Sequence, residues 1–300
     1  MSKVKSWISA FRLRTLPLSL SSILMGSIIA YSQDKFMLEI FVLAATTTVF
    51  LQVLSNLAND YGDSKKGTDN DNRVGPERSV QSGAISLREM RNGIITTSIL
   101  SLLSGITLIY IGLKDYNLAY LVLFFVLGIA SIAAAIKYTI GKKPYGYAGF
   151  GDLFVFLFFG IIGVVGTYFL HTHNLELTLI LPATSIGLLS ASVLNMNNMR
   201  DIKNDAESNK KTLVVKMGIR KSKIYHTILI IGAITSFTTY LILEESSYTF
   251  FICLIPLPIF MLNLKKVWSF KDNRELDPEL KKLALSTFIL TLLFGISTIL

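Results

Sequence analysis

Nine stretches of this 300-residue chain contain no Asp, Glu, Lys or Arg: 15–33, 40–59, 92–113, 116–136, 153–175, 177–199, 224–243, 246–264 and 283–300. They run from 18 to 23 residues. At 1.5 Å of helical rise per residue this is roughly 27–35 Å, the thickness of a bilayer's hydrocarbon core. Helices of a soluble bundle carry charges opposite an apolar stripe, and none of the nine does. The pattern predicts an all-α polytopic membrane protein with nine transmembrane helices in a bundle and loops capping one end.

Charge adds an orientation. The segments 1–14, 60–91, 137–152, 200–223 and 265–282 fall on one side of such a bundle and hold 27 of the 29 Lys and Arg residues; Lys35 and Lys114 are the other two. By the positive-inside rule that side is cytoplasmic, with the N-terminus inside and the C-terminus outside. The protein is then expected in the cytoplasmic (inner) membrane, in contact with lipid. The net charge of +9 is accounted for by anchoring and anion binding, and nucleic acid is not needed to explain it. Arg12 and Arg14 precede an apolar run of spanning length with no small-residue cleavage site, so that run reads as the first helix. Cys253 reads as a buried thiol without chemistry. His171 and His173 face the other side, and two neutral ligands alone hold zinc poorly.

No linker or low-complexity segment interrupts the chain, which reads as one domain over 1–300. Two long cytoplasmic loops, 60–91 and 200–223, open alike. One begins Asn56-x-x-x-Asp60-x-x-Asp63 and continues to Asp69 and Asp71; the other begins Asn197-x-x-x-Asp201-x-x-x-Asp205. The recurrence suggests two four-helix units followed by a final helix. Segments 86–92 and 212–223 have helical periodicity and are expected as short amphipathic helices over the mouth of the bundle.

Carboxylates at i and i+3 or i and i+4 share a helix face and repel, and the negative end of the helix dipole adds to the cost. A divalent cation between them removes both penalties. Ligands that are all oxygen, with no Cys or His nearby, indicate a hard cation such as Mg²⁺, which needs only one or two carboxylates per ion because phosphate oxygens complete its shell. Asp60, Asp63, Asp69, Asp201 and Asp205 are the candidate metal ligands, gripping one diphosphate from two sides. Asn56, Asn59, Asn197 and Asn198 accompany them as substrate-binding candidates. Arg73, Arg78, Lys142, Arg200 and Lys211 could hold the diphosphate and stabilise it as it leaves; for Lys143 and Lys210 a purely topological role serves as well. Segment 138–152 is rich in glycine and tyrosine, so Tyr138, Tyr145, Tyr147 and Phe150 could face a carbocation or serve as interfacial anchors. Gly160, Gly163 and Gly166 read as sites of close helix packing.

These residues resemble the UbiA superfamily of intramembrane aromatic prenyltransferases, and most closely its naphthoate-prenylating branch. The similarity runs through Phe11-Arg12-Leu13-Arg14-Thr15-Leu16-Pro17, Asn56 to Asp63, Gly75-Pro76-Glu77-Arg78, Lys142 to Tyr147, Gly151-Asp152 and Asn198 to Ile202. Many members space the first motif Asp-x-x-x-Asp; here Gly67 occupies the last position and Asp69 is expected to replace it. The resemblance implies a nine-helix bundle whose cavity opens sideways to lipid. It also implies transfer of a polyprenyl group from polyprenyl diphosphate to 1,4-dihydroxy-2-naphthoate, with loss of CO₂ and diphosphate, to give demethylmenaquinone. Mg²⁺ is the only cofactor it calls for. It gives Asp60, Asp63, Asp201, Asp205 and Tyr138 catalytic roles, and Arg14 a place on the acceptor side. The alternatives are another aromatic acceptor such as 4-hydroxybenzoate or, in a different class, a secondary transporter, whose coupling residues sit near the midplane. Here the span interiors are uncharged and the acids gather at one boundary.

Overall fold

The computed structural model describes residues 2–70, 73–244 and 252–300, so Asp71 lies outside the described residues. Among those residues the secondary structure is helical, without strands. Helix α1 (Lys3–Phe11) ends at an elbow, Arg12 to Thr15, that leads into α2 (Leu16–Ser32). There follow α3 (Leu38–Lys65), α4 (Leu87–Leu113), α5 (Leu118–Lys137), α6 (Gly151–Thr172), α7 (Ile180–Arg200), the short α8 (Ile202–Glu207), α9 (Leu213–Leu243), α10 (Leu257–Ser269) and α11 (Asp277–Ser297).

Eight helical segments among the described residues are long and apolar enough to cross a membrane. The ninth expected span, 246–264, begins outside the described residues, and its later part lies in the 13-residue α10. Large apolar side chains such as Leu103, Val122, Val126, Ile228 and Leu262 are exposed around the outside, as lipid requires and water would penalise. Inside, α2 is a stripe of small residues (Ser19, Ser22, Gly26, Ser27, Ala30) buried at the centre of the bundle. A Cβ on Gly26 would lie 2.4 Å from the Val164 carbonyl oxygen, so only glycine allows this approach of α2 and α6.

Several helices outrun their uncharged stretches. The 28 residues of α3 span about 42 Å, well beyond a ~30 Å hydrocarbon core, so its last turns carry Asp60 and Asp63 out to the polar boundary. Segment 86–92 is no separate helix: Ser86 closes a capping box with Glu89 and starts α4 itself. Segment 212–223 likewise opens α9, which breaks at Gly218, a residue in a left-handed conformation (φ 77°). The first expected cap helix is therefore an extension of a spanning helix, while residues 213–217 form a short helix set off from the span by the kink at Gly218.

Within α6 the stretch Phe156–Val165 is π-helical. Gly160 and Gly163 pack as expected, against the Ala183 carbonyl and Ser22, whereas Gly166 lines the cavity described below, where a Cβ would meet Phe124 at 3.8 Å. His171 bonds Ser27 through Nε2 and accepts the Met37 N–H at Nδ1, and His173 Nε2 meets the Gly112 carbonyl at 2.6 Å. Both histidines fasten helix ends far from the acids.

Candidate functional site

Between the α2–α5 side and the α6–α11 side lies a cavity of about 780 Å³. Lining positions on α3 run from Ala44 to Asp63, about 29 Å of helix, so the cavity reaches through most of the membrane's thickness. Its deep end is apolar, with Ile23, Ala44, Leu108, Phe124 and Leu170; its mouth holds Arg12, Arg73, Arg78, Arg200 and Lys210 beside Asp60 and Asp63. Helix α5 packs on α3 and α4, while α6 packs on α2 and α7. Both line the cavity, and they meet where Tyr120 and Phe124 of α5 pack on Phe169 of α6.

The two aspartate elements meet at this mouth. Asp60 is 1% exposed and is bridged by the guanidinium groups of Arg12 and Arg78. Arg12 reaches it because the elbow residue takes a left-handed conformation (φ 49°), common at a helix C-terminus but costing about 1 kcal/mol for a non-glycine residue. Lys210 Nζ lies 3.7 Å from Asp63 and 3.6 Å from Asp205, joining the first acid cluster to the second. Arg73 spans them again, 3.4 Å from Asp69 and 3.9 Å from Asp201. Arg200 forks onto Asp201, with Nε and Nη2 at 3.0 and 2.6 Å from its two oxygens. Gly75 makes room for this: a Cβ there would sit 2.6 Å from an Arg200 nitrogen and 2.8 Å from one of Arg73.

The aromatic loop divides its labour. Tyr145 lines the cavity, stacks on Phe154 at 4.1 Å and donates its hydroxyl to the Ala134 carbonyl; Tyr138 meets it edge-on and also lines the cavity. Tyr147 instead donates to Asp63 Oδ1 at 2.7 Å, which leaves the Thr68 hydroxyl to donate to Tyr147. It holds a carboxylate in place. Phe150 is exposed.

Asn59, Asn197 and Arg14 line the mouth, as does Asn56, whose amide ties the elbow to α3 through the Phe11 carbonyl and Thr15. Asn197 accepts from Arg200 at 2.9 Å. Asn198 is buried off the lining, and Asp69, Asp201 and Asp205 stand just behind it, covered by the bases. Two further expected contacts are not brought to the cavity. Lys142 is exposed, since Gly141 (φ 118°) turns the chain immediately before it. Lys211 is exposed too, and its backbone N–H donates to the Tyr147 carbonyl. Neighbouring side chains of an extended segment point opposite ways, so in the pair 210–211 it is Lys210 that turns inward.

Arg12 and Lys210 are the site residues sequence reasoning undervalued. Spacing could have found Arg12, two residues before Arg14 in the same motif. Nothing local singles out Lys210.

The residues fit a hard divalent cation. Both oxygens of Asp69, Oδ2 of Asp205 and Oδ1 of Asn204 are buried without a hydrogen-bond partner, a set of oxygen donors with lone pairs to give. Burial and the nearby charges of Asp63 and Asp60 push the Asp69 carboxyl up to about 7 despite Arg73. Asp205 is pushed up to about 6 by burial, against the pull of Lys210. Burial alone would favour neutral Lys210, but the carboxylates of Asp63 and Asp205 outweigh it and raise its pKa. The crowded acids want more positive charge than the bases supply. No three of the described acids, histidines or cysteines form a ready-made cage; Mg²⁺ does not need one, since phosphate oxygens complete its shell.

Comparison with known proteins agrees with this arrangement. Residues 19–293 match the model of the UbiA prenyltransferase family. The 1,4-dihydroxy-2-naphthoate octaprenyltransferase of Haemophilus influenzae is 42% identical, over 98% of this chain and 96% of that protein. The enzyme of the same name from Escherichia coli is 39% identical, over 98% and 95%. A UbiA homologue from Archaeoglobus fulgidus, solved with GPP and Mg²⁺, superposes with a TM-score of 0.67 over 97% of this chain and 98% of that one. At 16% identity that likeness speaks for the fold alone. The family match spans nearly the whole chain and two relatives agree with it end to end: the chain belongs to the UbiA prenyltransferase family.

Proposed function

We propose that this protein transfers a polyprenyl group from polyprenyl diphosphate to 1,4-dihydroxy-2-naphthoate, releasing diphosphate and CO₂ and forming the hydroquinone form of demethylmenaquinone. The observation that carries the reading is one long cavity, apolar along its depth, whose mouth gathers both acid clusters and five bases. That shape fits a donor with a greasy tail and a highly charged head. The identity of the two end-to-end relatives supports the acceptor.

Asp60, Asp63, Asp69, Asp201 and Asp205 would hold Mg²⁺, which when bound neutralises the diphosphate as a Lewis acid. Arg12, Arg73, Arg78, Arg200 and Lys210, paired with carboxylates here, hold the phosphate oxygens and stabilise the charge that builds on them as the allylic C–O bond breaks. Tyr138, Tyr145 and Phe154 line the neighbouring wall, where aromatic faces attract a cation. The apolar depth excludes water that would otherwise capture it. The electron-rich ring attacks the allylic carbon, loses its proton there, and exchanges its carboxylate for a proton as CO₂ leaves. Arg14, at the mouth, is suited to the acceptor carboxylate.

Detergent-solubilised protein is expected to bind a non-hydrolysable prenyl diphosphate analogue with Mg²⁺ present and to release it with EDTA. Mg²⁺-independent binding would contradict the assigned head-group site. Nine crossings with the N-terminus in the cytoplasm of a bacterial inner membrane are part of the same reading, which the 27-to-2 division of basic residues supports. In a background without Cys253, an impermeant thiol reagent applied from outside should label Lys114→Cys and leave Lys142→Cys untouched. Labelling of Lys142→Cys would reverse the orientation.

A further inference from the structure

Asp152 differs from every acid discussed so far. It lies in the first turn of α6 and is 5% exposed. Asp60, Asp63, Asp69, Asp201 and Asp205 each have a basic partner; Asp152 has none within ion-pair distance among the described residues. Its Oδ1 is buried without a hydrogen-bond partner. A carboxylate in the first turn gains from the positive end of the helix dipole, but a buried, unshared oxygen remains costly. Such an atom at the edge of a reaction cavity calls for a role.

Beside it is a phenol. A Cβ on the preceding residue, Gly151, would lie 3.2 Å from Tyr138 Cε2 and 3.4 Å from its hydroxyl. The Tyr138 ring therefore rests on the first turn of α6, against the residue that precedes Asp152, and no hydrogen bond joins its hydroxyl to Asp152. On its other side Tyr138 faces the cavity, edge-on to Tyr145 at 5.4 Å between ring centres. Ionisation of the Tyr138 hydroxyl is disfavoured by burial first and, among charged groups, by Asp152 above all. The phenol thus keeps its proton and can donate it in a hydrogen bond.

We propose that Asp152 is a positioning residue whose free oxygen, not bonded to the phenol in this structure, accepts the Tyr138 hydroxyl once the donor fills the cavity, fixing that ring and placing an unpaired negative charge behind it. Asp152 touches neither donor nor acceptor; it acts through Tyr138. The unpaired charge lies on the side of the cavity where an allylic cation would form, and a fixed charge in a dry site needs no reorganisation to oppose it. This rests on the prenyl-transfer reading.

The test pairs kinetics with a direct probe of the ring. Asp152→Asn keeps the size and removes the charge. It should lower kcat roughly 10- to 100-fold while KM for the prenyl diphosphate stays near its original value. Tyr138→Phe should lose a similar amount, and adding Asp152→Asn to it should cost little more. With 3-fluorotyrosine at position 138, the ¹⁹F resonance should move on Asp152→Asn in protein that still elutes as a single species. Full loss from Asp152→Asn in the Tyr138→Phe background would overturn the link, as would an unmoved ¹⁹F signal. Failure of the unsubstituted protein to transfer any prenyl group would sink the broader reading instead, and the ¹⁹F arm would still decide whether Asp152 holds Tyr138.

Discussion

Asp60→Asn and Asp201→Asn should each lower prenyl transfer about a thousandfold, equivalent to about 4 kcal/mol of transition-state stabilisation. Each substitution keeps the shape and removes one negative oxygen. Asp60 is gripped by Arg12 and Arg78, and Asp201 by Arg200 with Arg73 nearby, so each variant frees guanidinium charge as well as weakening the metal site. That freed charge should hold diphosphate at least as well as before. Binding of the donor should therefore survive while turnover collapses, a separation of kcat from KM that general misfolding would not produce. Asp63→Asn and Asp205→Asn should behave alike, because the two acids share Lys210. Asp34→Asn and Asp115→Asn, exposed on the opposite side, should be indistinguishable from the unsubstituted protein. Steady-state rates at saturating Mg²⁺ check all six. Near-normal turnover by Asp60→Asn and Asp201→Asn together would remove the aspartates from the chemistry.

The second large effect is acceptor choice. A two-ring hydroquinone should be converted far faster than 4-hydroxybenzoate. The added ring buries roughly 50 Å² more apolar surface, worth about 1.2 kcal/mol or nearly tenfold in binding. A second hydroxyl group makes the naphthalene ring more electron-rich, which lowers the barrier to attack on top of the binding gain. Ionising the donor needs only the acids and bases at the mouth, so any discrimination must come from the remaining wall, where Arg14, Tyr138 and Tyr145 line the cavity. Competition between the two acids for one labelled donor measures the ratio.

Much of this was legible in the amino-acid order. Charge-free runs placed the helices because lipid tolerates few alternatives, and the doubled Asn-x-x-x-Asp element pointed to a site shared by two helix ends. The missed features depend on geometry that spacing does not encode. The extent of α3 and α4 beyond their apolar runs follows from backbone hydrogen bonding, which continues past the hydrocarbon boundary. The π-helical stretch of α6 reads in sequence as ordinary apolar helix. Lys210 and Lys211 are chemically the same, and the choice between them rests on how one extended segment leaves α8. Arg12 and Arg14 differ in the same way: the elbow turns one onto Asp60 and leaves the other at the mouth. Tyr147 looked like a partner for a carbocation and is spent on Asp63 instead.

The central claim is prenyl transfer onto 1,4-dihydroxy-2-naphthoate with loss of its carboxylate, and carboxyl-labelled acceptor tests it most directly. Purified protein given polyprenyl diphosphate, Mg²⁺ and that acceptor should release one labelled CO₂ for each prenyl group transferred, and none once EDTA is added. A prenylated product that keeps the label, or equal turnover when 4-hydroxybenzoate is supplied instead, would contradict it.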